Sequence, residues 1–174
     1  MKLNFGCGKD IKGGYLNRDV VALPGVDTVY DFEKFPYPFE DNTFDEIYCS
    51  HILEHMSDLG KVMEEFTRIG KNGCKIKVKV PWFASHNARG DYTHKRTFNL
   101  HSFDYFHPDH YYNKAKIITL KKRIHYFSNK GFLESEKINI IPDFFVNLFP
   151  YIYQRFFIYL FPAVEIHYLL EVNK

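Results

Sequence analysis

A chain of 174 residues, 45% hydrophobic and 25% charged, has the size of one domain (1–174) with material for one core, which excludes disordered and collagen-like architectures. A formal net charge of +2 is too small for a nucleic-acid footprint, so no nucleic-acid partner is expected. Cys7, Cys49 and Cys74 lack Cys-x-x-Cys spacing and suit reduced thiols, and the start of the chain leaves no room for the apolar core of a signal peptide; both point to a cytoplasmic protein without disulfides.

Lys2 to Phe5 reads as a first strand and runs into Gly6-Cys7-Gly8. Two glycines around one residue let a chain turn sharply off a strand and bring backbone N–H groups against a ligand, so this is read as a nucleoside-cofactor loop. Asp19, at the end of the next strand, Tyr15 to Val21, is placed to accept ribose hydroxyl protons. Lys12-Gly13-Gly14 is too short for a full crossover helix, a departure from the usual βαβ unit. Val26 to Phe32 and Phe44 to Ser50 are a third and a fourth apolar run, introduced by Leu23-Pro24-Gly25 and Glu40-Asp41-Asn42-Thr43; buried parallel strands produce such runs.

From Ile52 to Ile69 the apolar residues recur with the 3.6-residue period of an amphipathic helix, capped at Ser57 or Asp58 and ended by Gly70 and the turn Lys71-Asn72-Gly73. Lys75 to Val80 then alternates as a strand with one solvated face. Trp82 to Phe106, dense in His, Asp, Arg and aromatics and without a period, reads as a long loop with a short helix near Ser102 to Phe106. The lysines between Lys114 and Lys130, threaded with isoleucines, fit a solvated strand face, with the strand itself at Lys116 to Phe127. Asp143 to Phe161 reads as an aromatic helical segment broken near Pro150, followed by a closing strand at Val164 to Val172. The charges and prolines of that segment fall short of a membrane span, but 144–161 could serve a homodimer or a peripheral partner.

Taken together, Leu3 to Gly8, Asp19, Asp31-Phe32, Phe35 to Phe39, Asn42 to Ile47, Ser50 to His55 and Glu65 to Gly73 leading into Val78 to Pro81 resemble class I S-adenosylmethionine-dependent methyltransferases of the small, single-domain, type 11-like form. The resemblance implies a doubly wound, Rossmann-like α/β sheet of seven mostly parallel strands with an antiparallel last strand, lacking the usual N-terminal helices. It implies S-adenosylmethionine as cofactor, held by Phe5, Gly6, Cys7, Gly8, Asp19, Val20, Asp31, Phe32, Cys49 and His51. A dinucleotide site is the rival reading of the same loop, but it needs a third glycine where Ile11 stands and an acid about 20 residues on.

Methyl transfer is a displacement at carbon in which positioning carries most of the catalysis and a base is optional. His51, His86 and His94 are the catalytic candidates, with His55 and Asp91 beside them. His86, Asp91 and His94, completed by His51 or His55, are conceivable metal ligands, but their spacing matches no dependable motif and no metal is expected. The expected function is methyl transfer to an oxygen or nitrogen of a small-molecule acceptor such as a sugar or lipid-linked precursor. The alternatives are a catalytically silent cofactor-binding scaffold subunit of a heteromer, or a protein or RNA methyltransferase.

Overall fold

A computed structural model of the chain describes residues 1–111, 114–127 and 136–174, with 136–140 described by backbone alone. Seven strands, β1 (Lys2–Phe5), β2 (Leu16–Asp19), β3 (Thr28–Val29), β4 (Phe44–Ser50), β5 (Gly70–Pro81), β6 (Ile117–His125) and β7 (Glu165–Val172), form one sheet in the order β3-β2-β1-β4-β5-β7-β6. The first five are parallel, and β7 is inserted antiparallel between β5 and β6. This is the expected mostly parallel sheet. The chain builds outward from β1 in one direction and then returns to add β4 on its other side, which puts a topological switch point at the carboxyl ends of β1 and β4.

Strand alternation sorts the two faces. Leu3 and Phe5 of β1 pair with Ile47 and Cys49 of β4, and these with Ile76 and Val78 of β5; all are buried on one apolar face. Helix α1 (Leu59–Ile69) covers it with Val62, Met63, Phe66 and Ile69, and the Phe66 ring meets Phe5 edge-on at 5.0 Å. Asp58 starts the helix by accepting the Lys61 N–H at 3.0 Å, and Gly70 ends it directly into β5. Each large side chain buried this way contributes about 1.5–3 kcal/mol.

The opposite face is polar. Lys2, Lys77, Lys121 and Arg123 are exposed on it, as the alternation of Lys75 to Val80 predicts; Lys130 of the expected basic run lies outside the described residues. No helix joins β1 to β2, as the shortness of Lys12-Gly13-Gly14 indicates, or β2 to β3, while the strand order is the expected one. The long loop after β5 contains an unforeseen short helix, α2 (His86–Gly90), and a 3-10 turn at Asp104–Phe106 where a helix was expected.

The free edge of β6 is closed by α3 (Glu136–Leu148), which begins earlier than the periodicity indicates. Asn147 imitates a neighbouring strand: its Oδ1 accepts the Ile124 N–H at 2.8 Å and its Nδ2 donates to Ile124 O at 2.7 Å. Asp143, buried at 2% exposure, accepts the Tyr126 N–H at 2.8 Å and sits 2.8 Å from His125 Nδ1. The segment breaks at Phe149, as expected near Pro150, and continues as α4 (Pro150–Ile152) and a π-helical turn at Tyr153–Phe157. Asn147→Ala removes both backbone partners of Ile124 and is expected to destabilise the protein by about 1–3 kcal/mol, read as a lower urea midpoint at unchanged slope.

Candidate functional site

The glycine turn lies at the switch point. Gly6 and Gly8 have φ of +69° and +50°, the left-handed region that glycine enters without cost, and the Gly6 and Cys7 N–H groups both donate to Arg18 O, at 3.0 and 2.9 Å. A Cβ at Gly6 would sit 2.5 Å from Ile52 Cγ1, whereas at Gly8 it would meet nothing within 4 Å. Asp19 leans over the loop: its Oδ2 accepts the Gly8 N–H at 2.7 Å and its Oδ1 the Val21 N–H at 3.1 Å.

Two buried asparagines brace the turn from below. Asn4 Nδ2 donates to Asp10 O at 2.7 Å and to Asn17 Oδ1 at 2.9 Å, and the same Asn17 oxygen accepts the Lys12 N–H at 2.9 Å. The Lys12 ammonium lies 4.2 Å from the centre of the Tyr48 ring, roofing the polar side of β4. The loop thereby fills the position that a crossover helix would take.

Above the turn opens a cavity of about 660 Å³. Of the residues proposed from sequence, Gly6, Cys7, Gly8, Asp19, Val20, Asp31, Phe32 and His51 line it. Phe5 and Cys49 do not. They are partners across β1 and β4 with side chains on the core face, both at 0% exposure, and burial raises the Cys49 thiol pKa well above its ordinary value. Phe5 packs instead on Phe32 with ring centres 4.0 Å apart. His86 is exposed at the start of α2, off the cavity wall, and His94 stands behind His55 with ring centres 4.7 Å apart. Sequence reasoning missed Asn4, Lys9, Asp10, Glu33, Ser50, Ile52 and Met56 as wall residues. Glu33 was within reach of it, two positions past Asp31 at the same strand end.

His51 has φ +53°, a left-handed conformation rare for a side-chain-bearing residue, which aims its ring between two acids. Its Nε2 lies 3.3 Å from Glu165 Oε1 and its Nδ1 3.3 Å from Glu54 Oε1, and these carboxylates, Glu165 foremost, push its pKa up to about 9. With a carboxylate at each nitrogen, His51 has no lone pair free to take a proton, which corrects its listing among the bases. The loop after β5 is tied to the same turn: Arg96 Nη2 donates to Met56 O at 2.6 Å and Ser57 O at 2.8 Å, and the Lys95 N–H to Glu54 O at 2.8 Å. Against the expectation of no metal set, Glu54, His55 and His94 each bring a ligand-type atom within 4.8 Å of the others.

Residues 8–77 match a family described as a methyltransferase domain. A 43-residue stretch is 49% identical to an uncharacterized protein of Methanocaldococcus jannaschii, covering 25% of this chain and 19% of that protein. The chain therefore spans about a fifth of that relative. Among solved structures, a SAM-dependent methyltransferase from Archaeoglobus fulgidus superposes with a TM-score of 0.61 at 15% identity, over 98% of this chain and 85% of that one. A Haloferax volcanii methyltransferase solved in complex with the Trm112 methyltransferase activator does so at 0.57 and 14%, over 99% and 82%. One from Mesorhizobium loti gives 0.57 at 10%, over 98% and 89%. The chain thus has the fold of these S-adenosylmethionine-dependent methyltransferases, and its residues 8–77 match the methyltransferase domain family.

The two glycines are expected to respond differently to a methyl group. Gly6→Ala combines about 1–2 kcal/mol of left-handed strain with a collision against Ile52, whereas Gly8→Ala carries the strain alone. Thermal melts should show Gly6→Ala as the more destabilised, and adding Ile52→Ala should recover part of the difference; equal melts for the two single variants would contradict the packing described.

Proposed function

We propose that the protein transfers a methyl group from S-adenosylmethionine to an oxygen or nitrogen of a small-molecule acceptor. The observation that carries this reading is the open cavity bounded on one side by the glycine turn and on the other by Asp19 and Asp31. The residues fit the cofactor. Each oxygen of Asp19 spends one lone pair on a loop N–H and keeps another for a ribose hydroxyl. Asp31, with its Oδ1 held by the Glu33 N–H at 3.1 Å, is assigned to the adenine amino group, and Phe32 to the ring. Gly6 to Gly8 and Val20 complete the wall on that side, and His51 and Ile52 face the methionine part.

When bound, the cofactor supplies a methyl group on a positively charged sulfur. What the chain adds is alignment and the exclusion of water. His51, held between two carboxylates, is a positioning residue in this reading, not the base.

The acceptor class is inferred from an apolar surface that shares no lining residue with the cavity but reaches the same edge of the sheet. Phe144, Phe145, Phe149, Phe156, Leu160 and Phe161 are each more than half exposed, and Asp143, the acid of this segment, is turned inward. The segment docks through Tyr153, 6.3 Å from Trp82 just past the carboxyl end of β5, on the same sheet edge as the cavity. An acceptor with a lipid-like portion suits such a face. No helix among the described residues is long and apolar enough to cross a membrane. The same face supports the second reading, a silent cofactor-binding subunit held by a partner, and the Haloferax volcanii methyltransferase is a protein of this fold solved with one.

Calorimetric titration with S-adenosylmethionine and with its demethylated product is expected to show binding of both. Asp19→Ala should weaken it by about tenfold to a hundredfold, the worth of charge-assisted hydrogen bonds to the ribose. Methyl label supplied on the cofactor should appear in a lipid-extract acceptor; binding without turnover in any extract would favour the scaffold reading, and absence of binding would overturn both.

A further inference from the structure

The turn after β4 and the loop after β5 meet in a cluster that the cofactor does not use. Glu54 is 1% exposed and neither of its carboxylate oxygens receives a hydrogen bond. The cation facing it is His51, whose Nδ1 lies 3.3 Å from Oε1 and which is shared with Glu165 at its other nitrogen. A buried carboxylate with half a cation and no hydrogen bond is poorly compensated, and a bound metal ion would complete it.

The two histidines beside it are held in a form suited to ligation. Thr93 Oγ1 donates its hydroxyl proton to Asp91 Oδ1 at 2.6 Å, so toward His55 Nδ1, 2.9 Å away, it can only accept. His55 therefore carries its proton on Nδ1 and leaves Nε2 with a free lone pair. His94 Nδ1 lies 3.3 Å from Ala88 O, a pure acceptor to which it can only donate, while its Nε2 lies 3.8 Å from Asp91 Oδ2. Metal-binding histidines are commonly oriented in this way, by an oxygen on the nitrogen that does not ligate. The His94 side chain is 8% exposed, Glu54 is buried and His55 is half-buried, so the cluster sits between the core and the cavity wall.

We propose that Glu54, His55 and His94 bind a divalent transition metal, zinc above others. Two neutral imidazoles and one carboxylate are a borderline-soft donor set that suits zinc and not magnesium or calcium. Their ligand atoms, within 4.8 Å of one another, close toward the edge of about 3.4 Å of a tetrahedral zinc site on loading. Three protein ligands leave the fourth position open, as in catalytic sites. Because His55 also lines the cofactor cavity, the metal stands at its wall. Resting on the methyltransferase reading, its role is to hold the acceptor's oxygen or nitrogen as a Lewis acid and lower its pKa, so that solvent water takes the proton while the methyl carbon leaves the cofactor's sulfur and bonds the acceptor atom, which supplies what His51 cannot.

The test uses the full chain stripped with chelator, titrated with zinc chloride by calorimetry and with cobalt(II) by visible absorption. One equivalent of zinc should bind, cobalt should give the intense bands of a four-coordinate ion, and zinc should raise the melting temperature. Glu54→Gln and His94→Ala should each weaken zinc by more than about a hundredfold, Thr93→Val by about tenfold, and His101→Ala should leave binding unchanged. Glu54→Gln keeps the side chain's shape and removes the charged ligand, so its melting temperature should gain nothing from zinc. No saturable zinc binding by the parent, or binding undiminished in Glu54→Gln, overturns the proposal. S-adenosylmethionine titrations of the metal-free protein report on the methyltransferase reading separately: intact cofactor binding without zinc binding removes the metal site alone.

Discussion

The site depends on a polar contact buried beneath it, the hydrogen bond from Asn4 to Asn17 at 2.9 Å. In a wound α/β sheet a helix ordinarily fills the crossover from β1 to β2 and presents its N-terminus to the ligand. Here ten residues make the journey without one, and their backbone groups must be satisfied by other means. The two amides do this: they take the Asp10 carbonyl, the Lys12 N–H and the Lys12 carbonyl, while Asp27 Oδ2 takes the Asn17 N–H at 2.6 Å. Each amide is both donor and acceptor, so the pair can serve both ends of the loop at once. An apolar pair of the same size would leave the loop with no inward anchor and the glycine turn with no fixed height above the sheet.

A second constraint acts from the far side of the switch point. The left-handed His51 ends β4 abruptly, so that Ile52 comes down against the glycine turn and the 3-10 turn Leu53–His55 carries Glu54 inward. Lys95 through its backbone N–H and Arg96 through its guanidinium then bond the backbone of this turn, and the Lys95 ammonium reaches Glu33 and Ser57. Their contribution is to fasten the loop after β5 over the turn after β4. That fastening brings His94 to His55, residues whose separation along the chain hides their contact.

How much of this was legible follows from range. The glycine turn, Asp19 and Asp31 are local signals, each meaningful at the end of a strand that its own residues announce, and they line the cavity. Phe5 and Cys49 were misassigned because adjacency to a loop in sequence was taken for adjacency to its ligand, whereas alternation sends every second side chain to the core. The lysine alternation in β5 told correctly of a solvated face. Nothing local marks Glu54 as buried and without a hydrogen bond, since its place beside His55 reads equally as the charged side of a helix. Glu165 was invisible for another reason: its strand had to be placed between β5 and β6 before it could reach His51.

That last contact ties the site to the completion of the fold. β7 enters between two strands that precede it in the chain, so its pairing closes long loops and belongs with the slow, non-local events of folding. Until it is home, His51 faces one carboxylate and not two, β5 has an open edge, and the aromatic segment that docks Tyr153 beside Trp82 has no return strand to hold it. Insertion of one strand therefore finishes the sheet, positions the ring at the cavity mouth and sets the apolar surface on the same edge. The glycine-turn side of the cavity is thus built by the first pairing in the sheet, while His51 takes its second carboxylate from the last. A chain that had folded only through β5 would have the glycine turn, Asp19 and Asp31 in place but neither Glu165 to hold His51 nor the aromatic surface around Tyr153.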